Sequence, residues 1–313
     1  MKISISKEWL LKRAHLEEGL EIGAGGPLLE SGKGSSAIDW SQFPVKEMYK
    51  RNWFEGFTGS LAAATSQREY LLEVFLKHVT PLKALQRQRV RIGSEANPYA
   101  LLAWQCRALQ LAELSPPKKE FSASTIDDDW LNALARLSRF ADGPARTKKH
   151  LSDAGIALVI EPRLQSTHLD GAALLGKDFP VVGLTLRHDR LDNFWFVLMH
   201  EIIHVKKHLK RGRVEDIFDE RLLDNGDETL SDIEREADEL AGKALISDEL
   251  WNTCLARFVR SEESVKSFAE ELKISPAVVA GRIRHEAGNW TILRNLVGQG
   301  QVRKHFPEIS FGD

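Results

Sequence analysis

The sequence predicts an α+β protein. A mostly helical N-terminal half is followed by a small sheet, two motif-bearing helices and a helical C-terminal segment. Three observations lead there. Apolar residues recur at helical spacing at Leu71, Leu72, Val74, Phe75 and Val79, and again at Leu101, Leu102, Trp104, Leu109 and Leu111. Three short apolar runs separated by turn residues lie between Ile156 and Leu186. From Phe194 a strongly apolar helix carries His200-Glu201-Ile202-Ile203-His204. The chain has 313 residues, enough for about two domains at about 150 residues each. The expected segments are a flexible 1–38, a helical 39–125, a motif-bearing 126–255 and a helix-turn-helix-like 256–313.

Composition narrows the function classes. Apolar residues make up 42% and charged residues 28%, as in an ordinary globular protein. Lys+Arg 43 against Asp+Glu 45 leaves −2, so no global basic field advertises nucleic acid or an anionic membrane. Cys106 and Cys254 are too few for a disulfide framework or a cysteine-rich zinc site. No apolar run approaches the roughly 20 residues that span a bilayer. The N-terminus is interrupted by charges, unlike a signal peptide. A cytoplasmic protein without a membrane partner is expected.

Residues 1–20 suit a short amphipathic helix, and the glycines and serines over 23–36 read as a connector. They do not make a phosphate loop: Gly26 is one residue too far from Gly32-Lys33, and Gly34 stands where the hydroxyl belongs. Helices are expected over much of 39–114, over Asp127–Phe140, and from Pro144 to Ala154 with Gly155 as the stop. Pro116-Pro117 marks a boundary between them. Strands are expected at Ile156–Ile160, Gly171–Leu175 and Val181–Leu186. After Asp192-Asn193, either of which suits a cap, a helix runs to about Leu209.

The two histidines of that helix lie about 40° apart and one turn separated, so both imidazoles can reach one ion. Glu201 projects beside them, where a carboxylate can take a proton from water. Zinc suits imidazole ligands and needs no redox chemistry. A surface helix with two incidental histidines is the bland alternative. The helix is apolar nearly all round, which marks it as buried and weakens that alternative.

A catalytic zinc site usually takes a third protein ligand. His208 lies about 12 Å along the helix from His200 and cannot join the same ion without a break. In the helix around Ser231–Leu245, Glu234 lies about 60° from the centre of the apolar face, Glu236 about 100° on the other side, and Glu239 points outward. Glu234 is therefore the favoured ligand. Asp238, one turn on, is placed to hold the far nitrogen of a ligating histidine. Ser231-x-x-Glu234 also fits a capping box, which would commit the glutamate elsewhere.

His200-Glu201-Ile202-Ile203-His204 followed by Glu234-Arg235-Glu236-Ala237-Asp238-Glu239-Leu240-Ala241 resembles the ImmA/IrrE zinc metallopeptidases. The resemblance covers roughly 130–250 and implies a minimal zincin core of the gluzincin type within 126–255. It implies Zn2+ held by His200, His204 and Glu234, Glu201 as general base, and Asp238 where the family has Asp or Asn. Ile246-Ser247 departs from the apolar residue and proline that many members carry. Family members typically act in the cytoplasm on a helix-turn-helix repressor encoded nearby, in stress, phage or mobile-element responses. A protein substrate of that kind is the implied partner, with nucleic acid or another ligand as a conceivable activator.

Several expectations remain beside the motif. Val181–Leu186 is expected to be an edge strand that pairs with substrate. His285 and Arg282 are guesses for an oxyanion donor. Val265–Leu272 and Ser275–Glu286 resemble a helix-turn-helix in which Arg282 and Arg284 would meet phosphate, although 256–313 has only 9 Lys+Arg against 7 Asp+Glu. Packing against the protease is the favoured reading of that segment. Residues Asp39–Met48 resemble the stretch that follows the DNA-binding domain in repressor–peptidase fusions, but no such domain precedes them. The N-terminal half is expected to be scaffold, with a regulatory or docking role as the alternative. The seven carboxylates of Glu215–Glu228 suit a solvated surface loop better than a lid. The rival to the peptidase is a DNA- or partner-binding regulator with a structural or silenced zincin. A retained Glu201 favours the enzyme.

Overall fold

The computed structural model describes residues 38–77, 97–165, 167–209 and 228–312. The glycine-rich connector and the acidic loop up to residue 227 lie outside the described residues. From Ile38 onward the chain forms one compact unit, which the segments 39–125, 126–255 and 256–313 share. Among the described residues no helix is long and apolar enough to cross a membrane.

Helices α1 (Val45–Lys50), α2 (Leu61–Ser66), α3 (Arg68–Leu76) and α4 (Pro98–Leu114) make the first layer. The start of α4 follows from local chemistry: the Asn97 side chain accepts from the N–H groups of Tyr99 and Ala100, and Pro98 has no N–H to leave unpaired. Helix α5 (Asp128–Arg136) is capped by Asp127 and tightens into a 3-10 turn at Leu137–Arg139, so it stops short of Phe140. Helix α6 (Gly143–Ser152) carries Pro144 in its first turn, and Gly155 at φ +79° turns the chain into the sheet.

Strands β1 (Ala157–Ile160), β2 (Gly171–Leu175) and β3 (Pro180–Leu184) pair in the order β1-β3-β2, β1 parallel and β2 antiparallel to β3. This corrects the expected edge strand. The run at 181–186 forms the central strand, buried at every position, while β2 is only half-buried and lies at the edge. A continuous apolar run is what a strand covered on both faces needs.

The sheet divides the core by the alternation of its side chains. Ala157, Val159 and Val181 face the first helical layer, while Leu158, Ile160, Val182 and Leu184 face the opposite side. Gly183 allows the first layer to dock: a Cβ there would lie 2.7 Å from Cη2 of Trp104. The same indole donates from Nε1 to the Glu161 carbonyl at 2.9 Å.

Against the other face lie α7 (Leu191–Lys207) and α8 (Glu228–Leu245), followed by α9 (Asp248–Thr253), α10 (Leu255–Val259), α11 (Glu262–Leu272) and α12 (Pro276–Glu286). Neither Asp192 nor Asn193 caps α7, contrary to expectation; Arg190 holds the cap position without a side-chain bond. Backbone from the C-terminal segment does the work. The N–H groups of Leu191 and Asp192 donate to the carbonyls of Gly298 and Val297, each at 3.3 Å. Asp189 in turn accepts from the N–H groups of Val302 and Arg303 at 2.8 and 3.0 Å. Asp192 is buried, and its carboxylate takes Nη1 of Arg284 at 3.1 Å and Nε of Arg190 at 2.9 Å.

Helices α11 and α12 form the expected pair, with Lys273 at φ +58° in the turn where glycine would be unstrained. The phosphate-contacting role expected of its arginines does not survive. Arg284 is only 4% exposed and tied to Asp192. Arg282 is bound to the carbonyls of Gly242 and Ile246 and to Asp248. The pair packs against α7, where Arg284 serves the contact, while Arg282 ties the pair to the end of α8 and the start of α9. Breaking a buried ion pair from one side leaves Asp192 with Arg190 alone, so Arg284→Met should destabilise the chain by up to about 3 kcal/mol in urea denaturation. Adding Asp192→Asn should recover most of that loss; a strictly additive double variant would contradict this role.

Candidate metal centre

Two antiparallel-running surfaces meet at the site: one turn of α7 and the first half of α8. Helix α7 is buried through Phe194, Trp195, Leu198, Met199, Ile202, Ile203 and Val205, which leaves His200 and His204 on the side that α8 covers. Ala237 and Ala241, both fully buried, let α8 approach closely. Ser231 lies inside α8 rather than ahead of it, so the capping-box alternative for Glu234 falls away.

Ligand-type atoms of His200, His204 and Glu234 lie within 4.8 Å of one another. Nε2 of His200 is 2.9 Å from Nε2 of His204 and 3.2 Å from Oε2 of Glu234. Nε2 of His204 is 3.5 Å from Oε1 of Glu234. On the far side of its ring, Nδ1 of His200 meets Oδ1 of Asp238 at 2.9 Å. The geometry thus brings together the four residues singled out for binding and support.

This donor set fits a cation. With Nδ1 of His200 donating to Asp238, its Nε2 carries a lone pair that faces another imidazole nitrogen and a carboxylate. Acceptors converging at such distances repel unless positive charge lies among them. In the metal-free chain a proton fills that role: burial opposes the imidazolium of His200, but hydrogen bonds to Asp238 and Glu234 outweigh it and raise the group to about 10. Hydrogen bonds from His200 and His204 hold Glu234 well below the usual carboxylate range.

Glu201 looks the other way, into the angle between α7 and β2, and is 6% exposed. Burial raises it to about 7, against the pull of His200 and His204 and of a hydrogen bond from the Ala173 N–H. The ladder phase explains why that N–H is free. Thr185 N–H donates to the Asp170 carbonyl at 2.9 Å, so alternate residues Ala172 and Leu174 pair with β3 while Gly171, Ala173 and Leu175 turn their backbone groups to the open edge. Gly171 makes room for the carboxylate: a Cβ there would lie 2.9 Å from Oε1 of Glu201 and 2.8 Å from Cγ1 of Val197.

The other guesses fare differently. Arg282 is committed to the end of α8 and points to no oxyanion. His285 is exposed, its ring 6.4 Å from that of Phe196, which is itself 6.2 Å from His200. His208 closes α7 as its C-cap and meets His204 through the nitrogen turned away from Glu234. Sequence reasoning missed Gly171 and Ala173. A glycine opening a strand, where backbone or ligand approaches closely, was the available signal for the first.

The hydrogen bonds that keep His200 charged have a measurable consequence. The unfolded chain releases this proton near 6.5 and the folded one near 10, so its stabilisation is full below about 6.5 and lost as pH rises to about 10. Chelator-treated protein should show a falling denaturation midpoint across that window, and His200→Ala should not. A flat midpoint in the wild type would contradict the assignment.

Comparison with known proteins agrees with this geometry. Residues 153–284 match the Peptidase_M78 family model, the IrrE N-terminal-like domain. The match contains α7, α8, α11 and all but the last two residues of α12. No curated protein and no solved structure matches the chain.

Proposed function

We propose that the M78 peptidase domain makes this chain a zinc-dependent endopeptidase acting on a protein substrate. The observation that carries the reading is the pairing of a three-ligand cluster with a buried carboxylate on the adjacent face of the same helical turn. A purely structural metal site has no use for Glu201. In this reading His200, His204 and Glu234 hold Zn2+, and Asp238 fixes the His200 ring. The ion, when bound, polarises the scissile carbonyl and makes water more acidic.

The chain's own residues supply the rest. Glu201 accepts the proton from the attacking water and passes it to the leaving amine. Burial raises it to about 7 in the metal-free chain, and a bound cation would draw it down from there, leaving it the base of the first step. The open edge at Gly171, Ala173 and Leu175 suits an extended peptide added as a further strand, the role expected of β3. The family resemblance extends the proposal to a cytoplasmic enzyme whose substrate is a helix-turn-helix repressor encoded nearby, in a stress, phage-defence or mobile-element response.

The test combines metal content with cleavage of that repressor. Wild type should hold one zinc, Glu234→Ala should lose it, and Glu201→Gln should keep it while cleaving about 10²–10⁴-fold more slowly. Equal cleavage by Glu201→Gln, or a wild type without zinc, rejects the peptidase. The rate of the wild type should fall on acidification with a limb at or below about pH 7, where Glu201 becomes protonated; a bound cation moves that limb lower. Gly171→Ala should retain zinc but lose up to about 10²-fold in rate by displacing Glu201. A Gly171→Ala rate equal to wild type would show that the close approach of β2 is incidental.

A further inference from the structure

We propose that His208 and Glu236 form a positioning relay for His204, fixing the tautomer in which its Nε2 faces the metal. The inference rests on the zinc-site reading and concerns residues to which that reading gives no part. Nδ1 of His204 lies 3.0 Å from Nδ1 of His208, and Nε2 of His208 lies 3.3 Å from Oε2 of Glu236.

Proton positions follow from the chemistry at each end. A carboxylate only accepts, so the Glu236 end requires N–H on Nε2 of His208. The neutral His208 then offers a lone pair at Nδ1. That lone pair requires the proton of His204 on its own Nδ1, which leaves Nε2 of His204 bare toward His200 and Glu234. His200 reaches the same state in one step, because Asp238 touches its Nδ1 directly at 2.9 Å. The two ligands are thus supported by unequal devices, a carboxylate for one and an imidazole–carboxylate pair for the other.

The end of α7 makes the longer device possible. His208 is the C-cap residue, and the His204 carbonyl accepts from both His208 and Leu209 N–H groups at 2.8 and 3.0 Å. The helix therefore closes on His204 itself, and the His208 ring folds against that of His204, with centroids 5.1 Å apart. Glu236 reaches it from the flank of α8 that the ligand Glu234 does not use.

The test uses the full-length chain and reads zinc affinity by competition with a chromophoric chelator, together with the visible spectrum of the Co2+-loaded protein. His208→Ala should weaken zinc binding by about 10–100-fold and alter the Co2+ bands. Glu236→Gln should weaken it less. His208→Gln, whose carbonyl can accept from His204 and whose amide can donate to Glu236, should restore most of the affinity. The denaturation midpoint of the metal-free variants should stay at the wild-type value. Wild-type affinity and spectrum in His208→Ala would overturn the relay. So would a loss that His208→Gln does not restore, or a fall in metal-free stability that accounts for it. A loss as complete as that of Glu234→Ala would make His208 a ligand, which also overturns it. Wild-type protein that binds no zinc would instead remove the underlying site reading.

Discussion

The constraint on which this structure turns is the convergence of ligand-type atoms from His200, His204 and Glu234 within 4.8 Å of one another. Such a group is stable only around positive charge, whether a proton or a metal ion. Everything nearby serves to hold it. Small residues on α8 allow the close approach, and Asp238 and the His208–Glu236 pair occupy the far nitrogens. The apolar body of α7 fixes the turn on which both imidazoles sit.

The sheet and the C-terminal segment extend that rigidity. Glu201 is aimed by β2 through the Ala173 N–H and the missing side chain of Gly171. Strand β2 is aimed by β3, and β3 is locked to the N-terminal helices by Trp104 against Gly183. The first turn of α7 has no side-chain cap, and backbone from residues 297–298 takes its place. Arg284 and Asp192 close the same contact beneath the surface. A helix-turn-helix outline has thus become part of the support of α7, as the favoured packing reading anticipated, with Arg282 and Arg284 consumed as internal ties.

These connections also separate the two carboxylates beside the histidines, Glu201 and Glu234. Glu234 is half-open to solvent and held ionised by the histidines; Glu201 is enclosed by apolar side chains and pushed toward neutrality. Opposite shifts of two acids around one pair of histidines follow from which face of α7 each one meets, and they match the different work of holding a cation and carrying a proton.

Local sequence carries what depends on local spacing. The His200–His204 turn, the inward bias of Glu234 and Asp238, Pro144 and Gly155 are all set by residues within one or two turns of each other, so they were legible without coordinates. The three strands were legible as segments for the same reason. Their order was not, because a strand's neighbours are chosen by long-range packing, and the central place of β3 reversed the expected edge. The fates of Asp192, Arg282 and Arg284 were hidden likewise, since each depends on a partner 34 to 92 residues away. His208 shows the division most directly. Helical periodicity set it apart from the ion by distance along the axis, yet only the folded end of α7 and the arrival of Glu236 from another helix gave it a partner at Nδ1 of His204. Spacing decides which groups share a face; tertiary packing decides what that face meets.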